Sequence, residues 1–323
     1  MVISAAAFRV PPVANAMLAD GKPPSSPPAA ANLWPALSAA VAAKPPVRAG
    51  KLIVADSKIV HALTDGLTRL EQTVLAFTRV LAGYSSPSTP ALEHDATLRQ
   101  LLLWLGQPPD PVFEQPWYRD DGPLPRFGTG SIGPAANFLA RTLHTADIIP
   151  VALRTRVIAE HEFNRQVAVT NNKASVLIGA TFAHLSYLYQ HFAAEHLMVI
   201  IDKQGGRDHY LDLLFESFPE TRIKVLAESN QCSAYALTGP LGQATFYFAS
   251  KAESIGFATA LASMICKYLR EILMNDFNRW FQLRIPALVP TAGYYQDGAR
   301  WLTDVQDHLT RMGLDATRLR RVR

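Results

Sequence analysis

Cysteine is nearly absent from this chain, which has only Cys232 and Cys266 among its 323 residues. Neither cysteine has a His or Cys neighbour at the spacing of a metal site, so the sequence argues against zinc. Two distant thiols fit a reducing compartment better than a disulfide framework. We therefore expect both side chains to be free thiols in the core.

Long apolar runs are missing as well. No stretch reaches the roughly 18 apolar residues that a membrane-spanning helix needs, and no basic segment precedes the short apolar run at the start. Excess charge is small, because the formal net charge is +4 and the pI is near 9.1. Such a charge permits a polyanionic partner without requiring one. We expect a monomeric cytoplasmic protein with no membrane partner.

Apolar residues are plentiful, at 49% of the chain, which is enough for a sizeable core. In the second half, apolar strand-like runs at 197–201, 223–227 and 244–249 alternate with helical patterns at 173–194 and 255–277. This alternation predicts an α/β domain. The run at 197–201 is continuous, which is typical of a strand buried on both faces of a sheet.

The first half is interrupted by many of the chain's 23 prolines. We expect a strand at 2–10, a helix at 63–81, and irregular insertions at about 11–46 and 85–135 that belong to a single domain covering 1–323. The first insertion has room for one short helix around 33–43. The second insertion should be packed by its aromatic residues.

Two carboxylates stand where α/β sheets place ligand groups. Asp202 follows the apolar strand at 197–201, and Glu253 lies between another strand and the start of a long helix. If the two strands are neighbours, the carboxylates converge and can hold Mg²⁺ or Mn²⁺ for phosphodiester hydrolysis. Taken singly, Asp202 is more often a turn residue and Glu253 a charge favoured at a helix N-terminus.

Several motifs resemble those of type 2 ribonucleases H. The run from Ala262 to Glu271 resembles, without gaps, the family's Ala-Ser-Ile-x-Ala-Lys-Val-x-Arg-Asp helix, and Glu253 stands in the place of the acidic residue before it. Asp56-Ser57-Lys58 resembles the family's Asp-Ser-Lys motif, and Gly293-Tyr294 resembles its Lys-Gly-Tyr turn. The resemblance covers about 1–8, 56–75 and 163–306.

The resemblance implies a ribonuclease H-like mixed sheet of about five strands flanked by helices. It also implies a metal-dependent endonuclease that cleaves the RNA strand of RNA/DNA hybrids, including single ribonucleotides in DNA. Asp202 and Glu253 would be the catalytic metal ligands. Six residues would bind substrate: Ser57, Lys58, Ser263, Lys267, Arg270 and Tyr294, with Tyr295 as the alternative to Tyr294.

The residues Ser263, Lys267 and Arg270 are spaced at i, i+4 and i+7, so they share one stripe of a helix. That stripe can face phosphates or can be a solvated helix face, and the sequence leaves both interpretations open. Arg318 to Arg323 form a basic tail, which in most proteins is simply solvated.

The chain also departs from the family's pattern. Glu253 replaces an Asp, and Lys203 rather than Gly follows Asp202. The family's opening Asp-Glu-x-Gly-x-Gly-Pro strand has no counterpart, because Met1 to Phe8 resembles the strand that comes after it. We expect either that the reading frame starts further upstream or that the chain is a truncated or degenerate member. A non-catalytic protein that binds hybrids is the alternative function.

Other motifs are weaker. Gly128-Thr129-Gly130-Ser131-Ile132-Gly133 satisfies the spacing of a dinucleotide-binding loop, but no strand pattern precedes it. His61, His184 and His209 are isolated in the sequence, and such histidines are more often core or surface residues than metal ligands.

Overall fold

The computed structural model describes residues 1–11, 26–84, 96–128 and 132–322. These residues form helices packed on small sheets, so the predicted α/β class is confirmed. The strands are β1 Val2–Arg9, β2 Val41–Ala42, β3 Leu52–Ile53, β4 Ile149–Val157, β5 Leu197–Asp202, β6 Arg222–Ala227, β7 Cys232–Gly239 and β8 Gly242–Ala249. The helices are α1 Trp34–Leu37, α2 Ser57–His61, α3 Gly66–Tyr84, α4 Leu98–Trp104, α5 Asp110–Phe113, α6 Ile132–Thr145, α7 Glu160–Thr170, α8 Lys173–Phe192, α9 Leu211–Ser217, α10 Phe257–Gln282 and α11 Tyr295–Met312.

The strands do not form the single mixed sheet of about five strands that the sequence predicts. In the described residues, β1 and β4 form an antiparallel pair, β2 and β3 form a short parallel pair, and a four-stranded sheet has the order β5-β8-β7-β6. Within that sheet, β5 runs parallel to β8, while β8, β7 and β6 are antiparallel neighbours. Among the described residues, no strand pairing joins the β1–β4 pair to the four-stranded sheet, and a cavity lies between β1 and β5.

The expectation that 197–201 is buried on both faces is wrong. Every residue from Leu197 to Ile201 is only half-buried, although all five are apolar. The reason is tertiary: β5 pairs with β8 on one edge, and its other edge lines a cavity.

Helix α10 forms the centre of the larger core. The inward stripe that its periodicity predicts is confirmed, since all five of its members have 0% exposure. They are Phe257, Leu261, Ile265, Tyr268 and Ile272. Burial of each large apolar side chain stabilises the fold by about 1.5–3 kcal/mol. At the N-terminal end of α10, the Phe257 ring packs edge-on against Phe8 of β1, with 5.6 Å between ring centroids.

The two proline-rich stretches are more regular than the sequence indicates. The helix predicted over 33–43 is limited to α1 and gives way to β2. The second stretch contains α4 and α5 and leads into α6, and Thr97 begins α4 with a capping box that includes Gln100. Its aromatic packing is as expected, because Trp117 is buried against Phe277 and Phe281. The parts of these predictions that fall on 12–25, 85–95 and 129–131 lie outside the described residues.

The two thiols are free, as expected, but each is only half-buried rather than fully in the core. Burial raises the pKa of the Cys266 thiol to about 11, and its Sγ donates to Ser4 Oγ at 3.3 Å. The described helices include none that is both long and apolar enough to cross a membrane.

The end of the chain is docked onto α7. The Asn164 side-chain amide donates to the carbonyl oxygens of Thr317 and Arg320, and its oxygen accepts from the Val322 amide. The Asn164 side chain therefore holds the backbone of the described part of the basic tail.

Candidate active site

The parallel pairing of β5 and β8 brings Asp202 and Glu253 to one edge of the sheet. Asp202 is the last residue of β5 and is in register with Ala249 at the end of β8. The chain then turns at Lys251, whose φ of 55° is left-handed, into a short 3₁₀ turn over Ala252–Ser254 that carries Glu253. The Ala252 amide donates to Asp202 Oδ1 at 3.3 Å. The convergence that the sequence suggests is therefore present.

Glu253 is electrostatically strained in its charged form. Burial raises its pKa, and the nearby carboxylates of Asp56 and Asp202 raise it further. A hydrogen bond from Ser263 and the charge of Lys58 act in the opposite direction without cancelling the increase. The charged form of Glu253 is therefore disfavoured, mainly by burial and then by two neighbouring carboxylates, and a cation placed there would favour it.

Helix α2 reaches the same place from the other half of the chain. Asp56 caps this helix, since its Oδ1 accepts from the Lys58 amide at 2.8 Å. Ser57 is buried, and a hydrogen bond of 2.9 Å joins its hydroxyl to Ser263 Oγ of α10. Lys58 is exposed at the start of the helix. A contact between residues 206 positions apart thus holds the Asp-Ser-Lys segment beside the carboxylates.

The polar stripe of α10 is not a solvated face. The Lys267 side chain is only 12% exposed, and its Nζ lies 2.9 Å from Glu271 Oε1. Arg270 donates to the same carboxylate at 2.7 Å, and His61 of α2 lies 3.8 Å from its other oxygen. Burial works against ionisation of Glu271, but these cations, above all Lys267, outweigh it and lower the pKa of Glu271.

The Gly293-Tyr294 turn lies at the far end of this stripe. Gly293 has a φ of 70°, a left-handed conformation that favours glycine. The Arg270 guanidinium also donates to the Ala292 carbonyl and lies 4.8 Å from the centre of the exposed Tyr294 ring. Tyr294 is therefore exposed and anchored to α10, whereas the side chain of Tyr295 lies outside the described residues.

Three acids in this region were not proposed from the sequence as functional residues. Asp56 contributes charge at Glu253, Glu271 holds Lys267 and Arg270, and Asp297 accepts from Thr291 Oγ1 and the Ala292 amide. These bonds and the nearby Arg300 lower the pKa of Asp297 to about 2. Lys267 and Glu271 are four residues apart on one helix, and this spacing could have indicated from the sequence that Glu271 pairs with Lys267.

The competing motifs receive little support. Residues 129–131 of the glycine-rich motif lie outside the described residues, and Phe127 before it is not in a strand. His184 contacts the Ile3 carbonyl at 3.2 Å, and burial lowers its pKa; His209 pairs with Glu228. No cluster of three or more His, Cys, Asp or Glu side chains arranged to hold a metal ion occurs in the part of the chain that the structure describes.

Comparisons with protein-family models, with curated proteins and with solved structures find no match for this chain.

Proposed function

We propose that this protein is a metal-dependent endonuclease of the ribonuclease H type, which hydrolyses the RNA strand of RNA/DNA hybrids to leave a 3′-hydroxyl and a 5′-phosphate. The observation that carries the proposal is the convergence of Asp202 and Glu253 at one sheet edge, beside Lys58 and the polar stripe of α10. The motifs shared with type 2 ribonucleases H supply the reaction and the substrate.

The secondary structure is compatible with a ribonuclease H-like fold. An antiparallel pair, β1 and β4, precedes a parallel pair, β5 and β8, whose carboxyl ends bear the two acids. Helices α8 and α10 pack against these strands. We include this fold in the proposal.

The two carboxylates are donors of the type that a hard divalent cation takes, and they would supply part of its ligands. Asp202 and Glu253 offer carboxylate oxygens, which Mg²⁺ and Mn²⁺ prefer. Burial, followed by the charges of Asp56 and Asp202, raises the pKa of Glu253, and a bound cation would favour its charged form. A bound Mg²⁺ or Mn²⁺ would activate water for attack on the scissile phosphate and stabilise the leaving oxygen.

The surrounding residues can position a nucleic-acid strand. Lys58 is exposed and can contact a phosphate, while Lys267 and Arg270 are held by Glu271 along the neighbouring surface. The Tyr294 ring is 59% exposed and is supported from one side by Arg270, so a sugar or base can stack on it. Ser57 and Ser263 fix the distance between α2 and α10.

The test is cleavage of an end-labelled DNA duplex with one ribonucleotide, and of a longer RNA/DNA hybrid, in Mn²⁺. We expect the parent protein to cleave both substrates. Asp202→Asn should lower the activity by at least about a hundredfold, because one of the two proposed carboxylate ligands loses its charge. Asp212→Asn, an exposed acid on α9, is the matched control and should retain activity.

Binding of the same hybrids in chelator distinguishes the alternatives. Hybrid binding by the parent, with no cleavage in Mn²⁺, would replace the nuclease with the non-catalytic binding protein. Absence of both binding and cleavage would reject a nucleic-acid function for this chain.

A further inference from the structure

A slot of about 790 Å³ separates β1 from β5. It is lined along its length by both strands, from Val2 to Arg9 on one wall and from Leu197 to Asp202 on the other. Within the described residues, β1 pairs with β4 and β5 pairs with β8, and the two facing edges are not paired with each other. The slot is therefore a gap between two strand edges.

The same two helices cover both walls of the slot. On the α10 side, Cys266 contacts Ser4 of β1, and Thr259 Oγ1 donates to the Ile200 carbonyl of β5 at 2.8 Å. On the α8 side, His184 contacts Ile3 of β1. Leu185 of α8 belongs to the apolar cluster on which Val199 of β5 packs. The strands β1 and β5 thus occupy one layer between α8 and α10.

The wall formed by β1 offers backbone groups at strand spacing. The Met1 amine donates to the Ile158 carbonyl at 2.6 Å, and the Ile158 amide donates to the Met1 carbonyl at 2.8 Å. Because successive residues of a strand direct their backbone groups to opposite edges, Val2, Ser4 and Ala6 direct theirs into the slot.

The wall formed by β5 is equivalent. The Lys203 amide donates to the Ala249 carbonyl beside β8 at 3.1 Å. The same alternation therefore turns the backbone groups of Met198, Ile200 and Asp202 into the slot. The Ile200 carbonyl meets the Thr259 hydroxyl there, which confirms its direction.

We propose that the slot binds an extended polypeptide segment of about six residues, which completes one continuous sheet from β4 to β6. Only a strand presents alternating donors and acceptors on both of its edges, and unpaired strand edges recruit strands. Six residues match the length of β5, which is about 20 Å. Asp202 and Glu253 line one end of the slot, so the segment would lie beside the candidate active site, but the proposal does not rest on the nuclease activity.

The geometry also defines the direction and side chains of the segment. Arg9 at the end of β1 is paired with Glu195, just before β5, at 2.5 Å, so β1 and β5 run in opposite directions. A segment parallel to β5 extends the parallel pair with β8 and forms an antiparallel ladder on β1. Its side chains alternate between the leucine-lined face of α8 and the small residues of α10. Those lining residues are Leu177, Leu185, Leu188, Gly256, Ala258 and Ala262.

The experiment supplies such a segment to the whole chain as an N-terminal extension, Ser-Val-Ser-Val-Ser-Val-Ser-Asn-Gly-Thr, placed before Met1. The Thr continues β1 by one residue whose backbone groups face the slot, since those of Met1 are bound to Ile158. Asn-Gly favours a two-residue hairpin turn, so the added segment can run antiparallel to β1 at high effective concentration. The matched control has proline in place of each serine, because proline donates no hydrogen bond and breaks the ladder.

We expect the serine extension to slow amide hydrogen exchange at Ser4, Ala6, Met198 and Ile200 on the order of tenfold or more, and to raise the Tm. The proline control should leave both quantities at the values of the parent. The proposal is overturned if the two extensions give the same exchange at these amides, or if protection is confined to residues on the outer strands.

Discussion

At the scale of single residues, the most informative group is Glu253. Its carboxylate lies among other acids and is half-buried, so the folded state favours its protonated form. A group that is unfavourable for stability and lies at an expected ligand position is typical of functional sites. The same feature makes its contribution to stability depend on pH.

We predict that Glu253→Gln is more stable than the parent at pH 7. Because the folded-state pKa of Glu253 is raised above its ordinary value of 4.5, its stabilising contribution is complete below that value and is lost as the pH rises through the raised pKa. The gain in Tm should therefore shrink as the pH falls and disappear below about 4.5. Thermal melts of both proteins across pH measure it, and a variant less stable than the parent at pH 7 would refute the prediction.

We predict that Gly293→Ala lowers stability by about 1 kcal/mol, because the left-handed φ of 70° is strained for alanine. The added Cβ would also lie 3.2 Å from the Met274 side chain, beside the Arg270 guanidinium that supports Tyr294. The affinity of this variant for an RNA/DNA hybrid should fall as well as its stability.

Gly298→Ala is the control for this substitution, because Gly298 lies within α11 and nothing lies within 4 Å of its added Cβ. It should be neutral or stabilising and should not change hybrid affinity. Denaturant unfolding and fluorescence anisotropy provide the two measurements. Equal effects of the two substitutions would show that the turn conformation does not matter.

At the scale of elements, a buried acid connects α3, α10 and the loop before α6. Glu71 is 1% exposed and accepts from the amides of Arg126 and Phe127, at 2.6 and 2.7 Å, and from the Tyr268 hydroxyl at 3.0 Å. Nearby, the Arg126 side chain pairs with Asp276 of α10. This network fixes the loop against the two helices that carry the core.

We predict that Glu71→Ala lowers the free energy of unfolding by about 3 kcal/mol or more. Three donors lose their acceptor, and each buried group left without a partner costs about 1–3 kcal/mol. Glu71→Gln keeps an acceptor oxygen and should lose less, while Glu216→Ala on the exposed face of α9 should be close to neutral. Denaturant melts rank the three variants, and a ranking with Glu71→Gln as the worst would contradict the role of the network.

At the scale of the whole molecule, the candidate site is assembled from distant parts of the chain. Residues 56–58 come from the first half, Asp202 and Glu253 from the second, and Tyr294 from the segment before α11. The net charge of +4 is small, so the proposed affinity for a nucleic acid depends on the local arrangement of cations near the site.

We predict that Lys58→Met reduces the slope of log affinity against log salt for an RNA/DNA hybrid by about 1, because one phosphate contact is lost. Lys224→Met, an exposed lysine on β6 away from the site, should leave the slope unchanged. Hybrid titrations at several salt concentrations in chelator measure both slopes. The same slope for the parent and Lys58→Met would remove Lys58 from the interface.

Features that depend on short-range spacing could be predicted from the sequence. The inward stripe of α10, the start of α8 and the bounds of β1 and β5 depend on residues one to four positions apart, and the structure agrees with them. The strands β4 and β7 and the helices α7 and α11 were missed. Their patterns are shorter or more polar, and packing with distant residues stabilises them.

Which of these elements contact one another depends on long-range packing, which local patterns do not specify. The half-burial of β5, the interrupted sheet and the contact between Ser57 and Ser263 depend on pairings across up to about two hundred residues, which no local pattern specifies. The convergence of Asp202 and Glu253 could be proposed from the sequence because strand ends in α/β sheets meet at one edge. The charge of Asp56 at that site could not, since α2 reaches it only through packing against α10.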